Sequence, residues 1–203
     1  QKVADGLEEY LYNYIDSIRY NKFGLKAEQW NGNGTHASYR YDTLLRLDTL
    51  LLYNASNVKL QDIKYNYDAV GNILSLQNNA GTVSSLGGNY LYNFQYDSLN
   101  RLVSDTGSFH APRGIFSYSS SFSYAADGRI LTKTQSGKGL QIKTVKNINN
   151  NYTYVYNTAQ PHTISTVDAK NCTWDANGNM LSQVRNAFLN NRIYYILSWD
   201  EEN

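Results

Sequence analysis

The sequence predicts an all-β chain of antiparallel hairpins, and three observations predict it. A short unit recurs along the chain: an aromatic, Asp or Asn, two variable residues, Gly, Arg or Asn, then an aliphatic residue. Residues upstream of that unit alternate with period two, as in Tyr65 and Tyr67 or Tyr152, Tyr154 and Tyr156. The composition is that of strands and turns. Tyr occurs 19 times and Pro twice, and charged residues are only 17%, so polarity comes from Asn, Ser and Thr.

Taken in chain order, the copies open at Tyr20, Tyr41, Tyr67, Tyr96, Tyr124, Tyr156, Trp174 and Trp199. The best are Tyr67-Asp68-Ala69-Val70-Gly71-Asn72-Ile73 and Trp174-Asp175-Ala176-Asn177-Gly178-Asn179-Met180. The copy at Tyr96-Asp97 puts Asn100 before Arg101, and the copy at Tyr124 moves its acid to Asp127, before Gly128 and Arg129. The copy at Tyr41 has no Gly, the one at Tyr20 is shifted, the one at Tyr156-Asn157 runs into Pro161-His162, and the one at Trp199 stops at its turn. The chemistry of the unit is that of a hairpin. The Asp carboxylate accepts a backbone N–H two residues on, Gly supplies the positive φ that closes the turn, and the aliphatic residue starts the return strand. Spacings between copies run from 18 to 32 residues. That is too loose for a stacked helical solenoid and suits hairpins of unequal length in one sheet of some twelve to sixteen strands. Leu44–Tyr53 reads as a strand rather than a helix. The Gly-, Ser- and Asn-rich stretches 31–34, 81–89, 107–114, 136–139 and 147–151 read as loops.

Most chemistries are excluded at this stage. With 18 basic and 17 acidic residues there is no field to hold nucleic acid. No run approaches 18 apolar residues, so no membrane-spanning helix is expected. Cys172, the only cysteine, rules out an internal disulfide framework and reads as a small buried residue. His36, His110 and His162 have no partners at metal-ligand spacing, and each turn offers one Asp where a calcium loop needs several oxygens. Gly137-Lys138-Gly139 lacks the rest of a phosphate loop and reads as a turn. Four Asn-x-Ser/Thr sequons, at Asn33, Asn54, Asn151 and Asn171, are what chance supplies in so Asn-, Ser- and Thr-rich a chain. No base, nucleophile and oxyanion donors can be assembled, so no enzyme, cofactor or metal is expected. The residues singled out are structural: Tyr67, Asp68, Gly71, Asn72, Tyr96, Asp97, Arg101, Asp127, Gly128, Arg129, Trp174, Asp175, Gly178 and Asn179. Arg46, Arg101 and Arg129 are expected to pair with the Asp of a neighbouring turn.

These Tyr-Asp-x-x-Gly-Arg/Asn-aliphatic units resemble the YD repeats of RHS-repeat proteins, over nearly the whole chain from about Tyr20 to Asn203. The stretches Asn31-Gly32-Asn33-Gly34-Thr35, Tyr39-Arg40-Tyr41-Asp42 and Tyr65 to Ile73 are similar to those of SpvB/Tc-B-like toxin shells and of Bacteroidetes RHS proteins. The resemblance implies a sheet that spirals into a hollow cocoon. The implied role is to encapsulate, and help deliver, a C-terminal toxin or effector. On that reading residues 1–203 form one β-sheet segment, cut at both ends from a larger secreted or cell-surface protein. Its partners are the rest of the shell, the effector cargo and a secretion or delivery apparatus. Neither Pro112 nor Pro161 follows an Asp, so the family's autoproteolytic Asp-Pro element has no counterpart here. The alternative is a cell-surface adhesion or carbohydrate-binding module whose tyrosines stack on glycans.

Overall fold

The structure is a computed structural model of the 203-residue chain and describes residues 2–5, 8–11, 13–83, 86–111, 114–139, 148–168, 170–186 and 192–199. Every regular element among them is a β-strand. In order these are β1 (Lys2–Asp5), β2 (Glu8–Leu11), β3 (Ile15–Tyr20), β4 (Lys26–Asn31), β5 (His36–Tyr41), β6 (Leu47–Tyr53), β7 (Lys59–Tyr67), β8 (Ile73–Asn78), β9 (Thr82–Val83) and β10 (Leu86–Gly87). They continue with β11 (Tyr90–Tyr96), β12 (Leu102–Ala111), β13 (Gly114–Tyr124), β14 (Ile130–Gly139), β15 (Ile148–Tyr156), β16 (Ile164–Val167), β17 (Lys170–Trp174), β18 (Met180–Asn186) and β19 (Arg192–Ile196). Fifteen of them make one antiparallel open sheet in which sequence order is spatial order, from β3 to β8 and then β11 to β19. The short pairs β1–β2 and β9–β10 stand outside it. By its contacts the chain divides into two compact units, residues 1–118 with 138–146, and residues 119–137 with 147–203.

In the first unit β7 and β8 show the rule by which strands form. Tyr65 and Tyr67 lie half-buried on one face while Lys64 and Asn66 are exposed on the other, and Asn66 Nδ2 donates to Ser75 Oγ across the pair at 2.7 Å. In the second unit Tyr152, Tyr154 and Tyr156 share a half-buried face of β15, with Asn151, Thr153 and Val155 outward. Hydroxyls bridge the outer face there, as between Ser119 and Ser136 at 2.9 Å.

Among the described residues, no large side chain is fully buried. The buried apolar residues are small or few: Ala37, Ile63 and Ala80 in the first unit, Cys172 in the second. The chain leaves 14591 Å² accessible, where a compact monomer of its mass leaves about 9,700 Å².

Several stretches that read as loops are strand. Residues 107–111 belong to β12, 136–139 to β14 and 148–151 to β15. The Gly137-Lys138-Gly139 stretch is strand too, not a turn. Cross-strand packing, which one strand's sequence does not reveal, explains the first of these. Gly107 is the clearest case: a Cβ there would meet the rings of Tyr118 and Tyr92, so glycine makes room for two aromatics. Burial, then the negative charge of Asp105 and a hydrogen bond to it, push the Tyr118 phenol up to about 12.

Leu45 occupies the turn position that Gly24, Gly71 and Gly178 hold elsewhere, at φ 62°. A Cβ in that conformation is disfavoured by roughly 1–2 kcal/mol, against a smaller entropic cost for glycine. Leu45→Gly is expected to stabilise the chain by about 0.5–1 kcal/mol, read as a higher urea midpoint at unchanged slope.

Candidate functional site

The connections that carry the recurring unit share one construction. In the turn at Asp42, the Asp N–H donates to the Arg46 carbonyl at 2.9 Å and the Leu45 N–H donates back to the Asp42 carbonyl at 3.0 Å. The carboxylate fills the interior of that loop. Its Oδ1 accepts from Leu44 N–H at 2.8 Å and Arg46 N–H at 2.9 Å, and its Oδ2 accepts from Arg46 Nε at 2.8 Å.

The same set recurs at the other residues singled out by sequence. Asp68 Oδ1 accepts from Val70, Gly71 and Asn72 N–H at 3.0, 2.8 and 2.8 Å, and its Oδ2 takes Asn72 Nδ2 at 2.8 Å. Asp97 holds Leu99 N–H, Arg101 N–H and Arg101 Nε at 2.9, 3.0 and 2.7 Å. Asp175 holds Asn177 N–H, Asn179 N–H and Asn179 Nδ2 at 2.9, 2.8 and 3.0 Å. Gly71, Gly128 and Gly178 all take positive φ, as does Asn100 at 60°. In the copy at Tyr124 the backbone turn is kept, while the acid sits two residues further on. Asp127 there accepts from Arg129 N–H at 3.2 Å and Arg129 Nε at 2.7 Å. The copy at Asn157 is widened, closing from Asn157 N–H to the Thr163 carbonyl at 2.9 Å.

These bonds act on the carboxylates. Backbone N–H donation from Arg46, Arg101 and Asn179 is the largest influence on Asp42, Asp97 and Asp175 respectively, and holds each below the usual carboxylate range against the opposing effect of burial. At Asp127 the Arg129 side chain is the leading cause. At Asp68 burial, which pushes the group up, is the largest single influence. It is outweighed by the combined donation from the Asn72 side chain and the Asn72, Gly71 and Val70 amides.

A second set of contacts joins one hairpin to the next, and sequence reasoning missed it. The aromatics that open six of the copies point their polar tips at the first residue of the previous hairpin's return strand. In the first unit Tyr41 Oη donates to the Lys26 carbonyl at 2.8 Å, Tyr67 Oη to Leu47 at 2.7 Å and Tyr96 Oη to Ile73 at 3.0 Å. In the second, Tyr156 Oη donates to Ile130 at 2.9 Å, Trp174 Nε1 to Ile164 at 2.7 Å and Trp199 Nε1 to Met180 at 2.7 Å. Each of these aromatics but Trp199 sits at a recurrent bulge, where the ladder slips by one residue next to the ring, as between Asn66 and Tyr67 or Thr173 and Trp174. A signal was present in the sequence. The eight opening positions are all Tyr or Trp, whereas Phe94 and Phe122 stand two residues earlier, where no donor is required.

The arginines also differ from expectation. Arg46, Arg101 and Arg129 pair with the acid of their own turn, at 2.8, 2.7 and 2.7 Å, not with a neighbour's carboxylate. The remaining donors reach onward to backbone. Arg46 Nη1 donates to the Asp68 carbonyl at 2.9 Å and Arg129 Nη1 to the Pro161 carbonyl at 3.0 Å. Each of these two guanidinium groups lies over the next copy's tyrosine, 4.5 Å from the Tyr67 ring and 4.7 Å from the Tyr156 ring. Asn72 Nδ2 reaches Asn100 Oδ1 at 2.8 Å in the same way. Two further Asn-capped turns lie outside the recurring unit, because they lack its closing Arg or Asn and aliphatic residue. Asn54 accepts from Ser56 and Val58 N–H at 3.0 and 2.8 Å, with Asn57 at φ 64°, and Asn31 to Thr35 closes a like turn.

Among the described residues no group of three His, Cys, Asp or Glu could hold a metal ion. The final copy's residues 200–203 lie outside the described residues, as does Pro112.

No family model matches the sequence. The chain is similar to toxin subunit YenC2 of Yersinia entomophaga, 33% identical over 102 residues, which is 46% of this chain and 10% of that protein. Among solved structures it is similar to the Photorhabdus luminescens Tc holotoxin pore, with TM-score 0.62 at 20% identity over 93% of this chain and 10% of the other. It is also similar to the TcdB2-TccC3-TEV structure, with TM-score 0.65 at 21% identity over 94% of this chain and 11% of the other. These likenesses fix the fold, and the chain spans about a tenth of the length of the proteins it matches.

Two outcomes follow from the turn geometry. Tyr67→Phe and Tyr96→Phe each keep the ring and remove the donor, and are expected to cost about 0.5–1.5 kcal/mol in urea unfolding. The lowered turn carboxylates make stability acid-sensitive, with a definite sign. Their contribution is full above the ordinary value of 3.8 and is lost as pH falls through the depressed folded-state values. The thermal midpoint should therefore hold steady near neutrality and fall below about pH 4. Asp68→Asn and Asp175→Asn, which put at these turns the cap that Asn54 already provides, should flatten that fall.

Proposed function

We propose that this chain, whose turn units resemble the YD repeats of RHS-repeat proteins, is a section of wall in a larger shell that encloses a C-terminal toxin or effector and helps deliver it. The single observation that carries this reading is the antiparallel sheet held together by repeat-to-repeat contacts, in which no large side chain among the described residues is fully buried. A sheet of this kind gives a barrier. We read its role as steric. The chain is proposed to be one segment, residues 1–203, of a longer secreted or surface-delivered polypeptide. Its partners are the rest of the wall and the enclosed effector, by analogy with complexes such as TcdB2-TccC3. The turn residues Asp68, Asp97, Asp127 and Asp175, with Arg101, Arg129, Asn72 and Asn179, are proposed to serve the wall's geometry and nothing further. Adhesion through tyrosine faces has less support, since the ring tips and two of the ring faces are already occupied by neighbouring repeats.

The test is protection. In the full polypeptide that carries this segment, the stretch following the wall is expected to stay intact under a protease that cuts the same stretch when expressed alone. It should become cleavable once the wall is opened by acid. Cleavage at equal rates in both settings would sink the shell reading.

A further inference from the structure

One group of titratable side chains serves neither the turn caps nor the ring bonds. It gathers in the first unit around Gly107. Strand β12 runs between β11 and β13, which sets the outer two backbones about 9.6 Å apart. Gly107 is the cross-strand partner of Tyr92. The place a Cβ would take on Gly107 is within 2.7 Å of Tyr92 Cδ1 and of Tyr118 Cε1. These two carbons, one from each outer strand, are therefore less than about 5.5 Å apart and meet over the glycine. The ring centroids lie 6.2 Å apart with planes inclined at 46°. Tyr90 continues the group along β11, its ring 5.3 Å from that of Tyr92. All three rings are half-buried.

Asp105 completes the group. It shares a face of β12 with Gly107, is buried at 8% exposure, and accepts a hydrogen bond from the Tyr118 phenol. Burial, and then this carboxylate, keep that phenol protonated across the physiological range. A phenol held in this way loses an electron with difficulty unless its proton leaves in the same step, because the alternative is a cation in a site sheltered from water. A carboxylate within hydrogen-bond reach is the base that step needs. Tyr118 thus has its proton acceptor in place, and Tyr92 stands at its ring edge.

We propose that Tyr92 and Tyr118 are a site of oxidative cross-linking, which high-potential one-electron oxidants, such as a ferryl haem, join ring to ring. Each phenol gives one electron to the oxidant and one proton to a base, Asp105 for Tyr118 and water for Tyr92. The two phenoxyl radicals couple at a carbon ortho to each oxygen, Cε1 on Tyr118 and a Cε on Tyr92. The hydrogens on those carbons then leave as protons, and the two oxygens are protonated again. The net change is one new carbon–carbon bond, with two electrons passed to the oxidant and two protons to water. The link spans β12 and straps β11 to β13 where the rings already meet, so it forms without displacing the strands.

Peptide mapping after oxidation tests this, with photogenerated ruthenium(III) tris-bipyridine and persulfate acting on a dilute solution of the polypeptide that carries the chain. A dityrosine joining the Tyr92 peptide to the Tyr118 peptide is expected, lighter than the two peptides together by two hydrogens. Its yield should fall sharply when the same oxidation is run in urea. Gly107→Ala sets a methyl group between the rings and should lower the yield at least about tenfold at unchanged circular dichroism. Asp105→Asn keeps the shape and removes the base. Its link should form more slowly at neutral pH and speed up as pH rises, whereas the wild-type rate stays level from about pH 6 to 8. A merely structural role for Asp105 would leave that pH dependence unchanged. Absence of the link between Tyr92 and Tyr118 in the folded wild type overturns the inference. So does an equal yield in urea, or an undiminished yield in a folded Gly107→Ala chain. If Gly107→Ala fails to fold, the comparison with and without urea decides alone. A wild-type pH profile in Asp105→Asn overturns the part given to Asp105.

Discussion

The structure depends on one hydrogen bond, repeated: an aromatic N–H or O–H donated to a backbone carbonyl of the hairpin before it. Backbone ladders alone would allow neighbouring hairpins to slip, since register in a sheet of alternating polar and half-buried residues is held only by its pattern. The bond from Tyr67 to Leu47, or from Trp174 to Ile164, ties the start of one turn to the start of the previous return strand. It satisfies the polar end of a ring whose body is half-buried, which a phenylalanine would leave without purpose at that place.

The turn carboxylates complete the arrangement from the other side. An Asp that accepts two or three amides and a side chain leaves few free donors at the sheet's end, where ladder bonding stops. Arginine then serves two hairpins with one side chain, its Nε on its own Asp and its Nη1 on the next turn's carbonyl. Individually such exposed contacts contribute little. Their effect comes from repetition, because variants of the same set fasten the turns at Asp42, Asp68, Asp97 and Asp175.

The fold was legible because its signals are local. An Asx turn needs Asp or Asn, a residue tolerant of positive φ and a strand on either side, all within seven residues, so the turns at Asp68, Asp97 and Asp175 can be read directly. What could not be read was cross-strand. Nothing in the neighbourhood of Gly107 announces that Tyr92 and Tyr118 lie over it, so a glycine in a strand resembled a loop. The hairpins at Asn31 and Asn54 open with an aromatic and Asn as the unit does, but end in Gly34-Thr35-His36 and Asn57-Val58-Lys59 rather than in Arg or Asn and an aliphatic residue, so their sequence does not match the recurring unit. The ring donors were visible only as a choice among residues, Tyr or Trp and never Phe. That choice takes on meaning once the facing carbonyl is known.

The ring bonds reach one hairpin back and no further, and this has a consequence for how such a chain can change. Among the described strands of the sheet, each pairs only with its neighbours in sequence order, so the pairing itself does not set how many hairpins there must be. A duplicated or deleted hairpin pair leaves every other donor facing a carbonyl of the right kind. Strand length can also vary freely, since the bond is made at the turn end alone; the spacings of 18 to 32 residues between copies record that freedom. Size in this architecture is a quantity that recombination can adjust in whole steps, without a new core having to be designed for each one.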